Sequence, residues 1–311
     1  MTDENPVPEM QRIPARIVDV GGMPVRRVLP TRERRTVGAW CFLDHAGPVE
    51  FDAGGGIHVG PHPHIGLQTF TWMIEGEVLH SDSLGNQQWI RPGQVNVMTA
   101  GHGISHAEDA PHDRAGRSHA VQLWIALPDA ERERAPMFQH CPDLPHVARD
   151  GFDITLLVGD WLGATSPAQV FSPLLGADLR ANGAATTALP LRKDFEHAVL
   201  CLDGEIRIEG EALASGTLLY LGTGRESLRI ECDSGARLLL VGGEPFAEDV
   251  LLWWNFVART AEEMAQATND WNHGDRFGEV RGTGLQRLVA PSVEGLHLRL
   301  SKPRSDAGAS T

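Results

Sequence analysis

The sequence predicts an all-β chain: two tandem antiparallel β-barrels of jelly-roll type, followed by a short C-terminal helix. Three observations predict it. Short apolar segments recur from Ile13 onward, each bounded by Gly, Pro or charged residues as strands are. A second series of such segments, within residues 152–243, repeats the first. Only one stretch, after Thr260, carries a helical start signal.

Composition sets the outer bounds. The 311 residues are 41% hydrophobic and 22% charged, as in an ordinary globular protein, and suffice for two cores. A net charge of −14 argues against direct nucleic-acid binding, which needs clustered Lys and Arg. No run of 18 apolar residues exists, so no membrane helix is expected. The acidic start, MTDENPVPEMQRIP, lacks the apolar core of a secretory signal, and the four dispersed cysteines form no C-x-x-C pair. Both point to reduced cysteines and a cytoplasmic protein.

Taken in order, residues 1–12 form a loose lead, and the first barrel is expected over 13–127. ARIVDV, MPVRRVLP and Ala39–Leu43 are its first strands, and the glycine-rich GPVEFDAGGGIHVGP, with His58 as an exposed loop residue, is the turn that follows. Next comes His62-Pro63-His64; 42 residues after His64 stands His106-Ala107-Glu108. Residues i and i+2 of a strand share a face, so each pair can aim two side chains into one cavity. If the two segments meet across a barrel, three imidazoles and one carboxylate converge, a donor set suited to a divalent first-row transition metal. Between them, Thr69–Ile74 and Val95–Met98 are strands. Phe70, Trp72 and Met98 are candidates for the wall against a substrate, and His102, in the Gly-rich bend 99–103, is a candidate for its rim. Val121–Leu127 closes the barrel, and the proline- and charge-rich residues 128–150 link it to the second.

The second barrel, 151–243, is aligned on the first by eye. Setting Ile74-Glu75-Gly76-Glu77 on Leu202-Asp203-Gly204-Glu205 places His62 on Pro190 and His64 on Arg192. Setting 92–97 on 215–220 places His106 on Arg229 and Glu108 on Glu231. No imidazole recurs, so the copy is expected to be structural, with Arg229 and Glu231 as an ion pair. Residues 244–280 then carry Trp253-Trp254, read as packing residues, and the Thr260/Glu263 capping box of a helix ending near Trp271. Residues 281–311 are poorly patterned and expected to be partly disordered.

HPHIGLQTF, EGEVLHSDSLGN, PGQVNVMTAGHGISHAE and the later GGEP resemble the pirin family of the cupin superfamily, over roughly residues 10–280. The resemblance implies a bicupin whose metal is held by His62, His64, His106 and Glu108. Many pirins have an acidic residue where this chain has Gln68, but their fourth ligand comes from the later motif, so Gln68 is not expected to be one. The resemblance further implies a quercetinase-type 2,3-dioxygenation of a flavonol or similar aromatic substrate. Fe(II) is then the expected metal, with Mn, Ni, Cu or Zn as alternatives, and Glu108 both a ligand and the base that takes the substrate's proton. The competing expectation is a non-enzymatic, metal-dependent redox sensor acting through a protein partner.

Overall fold

The computed structural model describes residues 10–295. Twelve strands precede the second repeat: β1 (Gln11–Pro14), β2 (Arg16–Val20), β3 (Met23–Leu29), β4 (Trp40–Phe51), β5 (His58–His64), β6 (Leu67–Glu75), β7 (Val78–Asp82), β8 (Gln87–Ile90), β9 (Val95–Thr99), β10 (Ile104–Asp109), β11 (Gly116–Ala126) and β12 (Met137–Cys141). The first barrel packs a seven-stranded sheet, β12-β9-β6-β11-β4-β3-β2, against a four-stranded sheet, β5-β10-β7-β8. All of these pairings are antiparallel. The second barrel repeats the plan with its own sheets of seven and four strands.

The barrels exchange strands. Residues 137–141, within the segment expected to link the domains, pair with β9 and finish the first barrel's sheet. Residues 11–14, from the expected lead and the start of the first barrel, pair with Thr217–Tyr220 and occupy the equivalent edge of the second. The strand just ahead of each repeat thus covers an edge of the other barrel, and such an edge would otherwise present unpaired N–H and C=O groups. Between the large sheets lies one apolar core that draws on both repeats, including Trp40, Phe70, Trp72, Leu123, Leu200 and Leu239.

Strand pairing corrects the alignment of the copy by one residue. The hairpins at 75–77 and 203–205 set His80 on Ile208; His80 pairs with Glu108, and Ile208 with Ile230. His106 pairs with His62, and two residues before Ile230, Leu228 pairs with Leu189. The four ligand positions therefore correspond to Leu189, Leu191, Leu228 and Ile230, which fill or pack against the second barrel's apolar core. A slip of one residue exchanges the two faces of a strand, which is why the earlier alignment reached Pro190 and Arg229, both exposed. Arg229 and Glu231 form the expected ion pair, at 2.5 Å.

After the second barrel, a hairpin (Leu251–Trp253 and Phe256–Ala258) returns to the first barrel, where Val257 N–H donates to the Ile65 carbonyl. The helix α1 (Ala261–His273) follows, with the Thr260 hydroxyl accepting from Glu263 N–H at 3.1 Å as the capping box predicts. Residues 281–295 lie along β5, Leu288 N–H donating to the Pro61 carbonyl. Of the tail 281–311, expected to be partly disordered, residues 296–311 lie outside the described residues. All four cysteines are free and buried.

Candidate metal centre

β5 and β10 are neighbours in the four-stranded sheet, and His106 stands directly opposite His62. The sequence separation between the two motifs is thus closed by a single ladder. Between His106 and Glu108 the register with β5 slips, because Glu108 faces Val59 and β5 spends three residues where β10 spends two. Such a bulge re-aims side chains beside it. Gly60 sits in this bulge, and a Cβ there would lie 1.8 Å from the Gln286 carbonyl oxygen, so the close approach of the C-terminal segment requires glycine.

His62, His64 and His106 are buried and bring a ring nitrogen each to within 4.8 Å of one another. Their hydrogen bonds fix which nitrogen is bare. A carbonyl oxygen only accepts, so Nδ1–H of His62 donates to Gly60 O at 3.0 Å and Nδ1–H of His64 to Asn255 O at 2.9 Å. Nε2 of both rings is left with its lone pair. Nδ1 of His106 lies 3.3 Å from Nδ1 of His80, whose Nε2 is 3.1 Å from the Asp82 carboxylate. Burial pushes the Asp82 carboxyl up, but hydrogen bonds from His80 and Asn86 outweigh it and hold the group below its ordinary value. An ionised Asp82 takes a hydrogen from His80 Nε2, His80 Nδ1 then accepts from His106 Nδ1–H, and His106 Nε2 is bare as well. Nε2 of His64 and of His106 face each other at 3.0 Å. Converging lone pairs repel unless a cation lies among them, and this is the arrangement in which imidazoles bind metals, their second nitrogen tied to a carbonyl or carboxylate.

Burial works in the same direction. It holds His62 down at about 4 and His64 and His106 well below the usual imidazole value, so all three are neutral at pH 7. Glu108 lies outside the tight group of three but lines the same cavity. Burial raises its carboxyl above the ordinary value, with His80 opposing. Three imidazoles with a carboxylate in reach fit a first-row divalent ion; a closed structural zinc site would normally use thiolates.

The cavity is about 540 Å³, and its walls differ from those expected. Phe70 and Trp72 point the other way, into the core between the barrels. It is Thr69, Thr71 and Met73, one residue off in the alternation of β6, that line the cavity. Met98 packs with Ala100 and Ile104. His102 is exposed on its turn and meets Arg276 through its backbone carbonyl. Gln68 shares the face of β6 that carries Phe70 and Trp72 and donates to Thr99 and to the Gln169 carbonyl. The aromatic wall is instead Phe42 stacked on Trp124 at 4.0 Å, with Trp253 and Trp254 of the C-terminal hairpin, which had been read as packing residues. Trp124 also meets His64 edge-on at 5.3 Å.

His80 is the residue that the sequence reading passed over. Its signal was present, since His80-Ser81-Asp82 is a third pair at i and i+2 in the same stretch, on a strand between turns.

The comparisons with known proteins agree with this fold. The Pirin family model matches residues 22–125, and the Pirin C-terminal cupin domain model matches residues 176–278. A Pseudomonas aeruginosa protein named as a putative quercetin 2,3-dioxygenase is 53% identical over 286 residues, 91% of this chain and 90% of its own. A pirin-like protein of Caulobacter vibrioides is 36% identical, over 84% of this chain and 92% of its own. The crystal structure of a quercetin 2,3-dioxygenase from Acinetobacter baumannii superposes with a TM-score of 0.91 at 52% identity, covering 94% of this chain and 98% of that one. With both halves of the chain matched and each motif placed in its barrel, this protein belongs to the pirin family of the cupin superfamily.

Proposed function

We propose that the chain is a metal-dependent dioxygenase that opens the heterocycle of a flavonol, or a similar flat hydroxylated aromatic, by 2,3-dioxygenation with loss of carbon monoxide. The observation that carries this reading is the set of three bare imidazole nitrogens that lines, with the half-buried Glu108 carboxylate, an aromatic-walled cavity. The names of the two relatives at 52–53% identity support it. Divalent iron, the first choice among Fe, Mn, Ni, Cu and Zn, would supply Lewis acidity and the electron exchange between substrate and dioxygen, held by His62, His64 and His106 with Glu108 as the fourth ligand.

The chain's own residues do the rest. Stacked Phe42 and Trp124 with Trp253 and Trp254 hold a flat ring system and exclude water. Glu108, lining the cavity, accepts the proton of the substrate hydroxyl; a carboxyl pushed up by burial is a stronger base than a solvated one. Asp82 and His80 hold the His106 ring with its lone pair inward.

The deciding experiment is carbon monoxide release from quercetin by iron-loaded protein in air. Glu108→Gln should keep most of its metal and lose ~10²–10⁴-fold in turnover, the usual worth of a positioned base. Undiminished turnover per iron in that variant would remove Glu108 as the base. No carbon monoxide from the iron-loaded wild type would leave the sensor acting through a protein partner as the reading to pursue.

A further inference from the structure

We propose a second, solvent-accessible site for a divalent transition metal on the outer face of the β5–β10 ladder, formed by His58, Asp109 and His112. The pairing that sets His62 opposite His106 continues past the bulge to set His58 opposite Asp109, one rung beyond Glu108. Glu108 points into the cavity, so its neighbour Asp109 points out. Nitrogens of His58 and His112 and an oxygen of Asp109 lie within 4.8 Å of one another, the second such group among the described residues. His58 had been expected as an exposed loop residue; it is instead half-buried at the start of β5.

The hydrogen bonding is that of a ligand set. Nε2–H of His58 donates to the Gly55 carbonyl at 3.1 Å, which can only accept. With that hydrogen committed, His58 Nδ1 and Asp109 Oδ1 face each other at 2.6 Å, so they share a proton or, slightly parted, bind one cation in its place. Nε2 of His112 approaches the same carboxylate at 3.0 and 3.1 Å. The two rings are stacked, 4.4 Å apart and 14° from parallel. One divalent ion satisfies both rings and the carboxylate together. Two imidazoles and one carboxylate favour Zn²⁺, Ni²⁺ or Cu²⁺ over Mg²⁺ or Ca²⁺, and the exposed side of His112 leaves room for water ligands.

The test is a zinc titration of the metal-loaded protein, by equilibrium dialysis with metal analysis. The wild type should take up a further equivalent, more weakly held than the first. His112→Ala and Asp109→Asn should each abolish that uptake and keep the inner metal. His62→Ala should lose the inner metal and retain the outer. A wild type that binds no further zinc, or variants that bind it unchanged, would overturn the proposal. Neither result bears on the inner site, whose occupancy is read separately in His62→Ala.

Discussion

At the scale of single residues, the ring of His106 is met from outside the ligand set by His80, itself hydrogen-bonded to Asp82. His62, His64, His106 and Glu108 were legible because they fall in two tight pairs of strand spacing. His80 and Asp82 share that spacing, but a pair that touches His106 from behind is recognised only when the ladder sets β7 beside β10. Asp82 has its own scaffold: the backbone N–H groups of Leu84 and Asn86, and the Asn86 side chain, all donate to it. Phe138 stacks on His80 at 4.4 Å. Replacing Asp82 by Asn removes the charge that fixes the tautomers, and replacing His80 by Phe removes the acceptor for His106 Nδ1–H. Each variant should bind metal about 10–100-fold more weakly, the usual cost of losing an outer hydrogen-bond partner. Competition against a chelator measures it, and wild-type affinity in both variants would show that His106 is oriented without them.

At the scale of elements, the alternation of β6 was assigned to the wrong face for an understandable physical reason. The strand is apolar on one side because it packs on the other barrel, and polar on the other because it lines the cavity. Sequence alone makes the aromatic side look like the pocket. The exchanged strand β1 was equally hard to see, since Gln-Arg-Ile-Pro resembles a loose lead and its partners lie more than 200 residues away. Its anchor is Ile13, 3% exposed in the core shared by the barrels. Ile13→Ala should therefore cost about 2–5 kcal/mol, as a buried truncation does, although it lies near the chain's start. Chemical denaturation measures this, and a cost below about 1 kcal/mol would mean that β1 is a loose appendage.

At the scale of the whole molecule, duplication was legible from repeated turns, but the partition of labour was clear only in outline. One barrel keeps polar groups in its interior; the other holds Leu189, Leu228 and Ile230 at the matching places. The seam between them carries a buried pair of histidines. His45 on β4 and His119 on β11 approach Nε2 to Nε2 at 2.8 Å, and both are buried. Burial is the main cause that lowers them, His45 to about 3 and His119 to about 4. Arg26 disfavours a charge on either; Arg237 and Arg117 also oppose one on His119, while Asp203 favours it. In the unfolded chain both would titrate near 6.5. The folded pKa values lie below the unfolded ones, so this pair's contribution is complete above pH 6.5 and is lost as pH falls toward 4 and 3. Each such histidine removes about 1.4 kcal/mol per pH unit within that window. Asp44 and Asp178, whose carboxyls burial raises, act with the opposite sign, so the histidine share must be taken by difference. Thermal unfolding between pH 7 and 5 should show the wild type losing stability more steeply than His45→Gln/His119→Gln, whose amides can still bond across the seam without taking up a proton. Parallel curves for the two proteins would place the acid sensitivity elsewhere, first of all in His197, which is buried and held at about 4 in the second barrel.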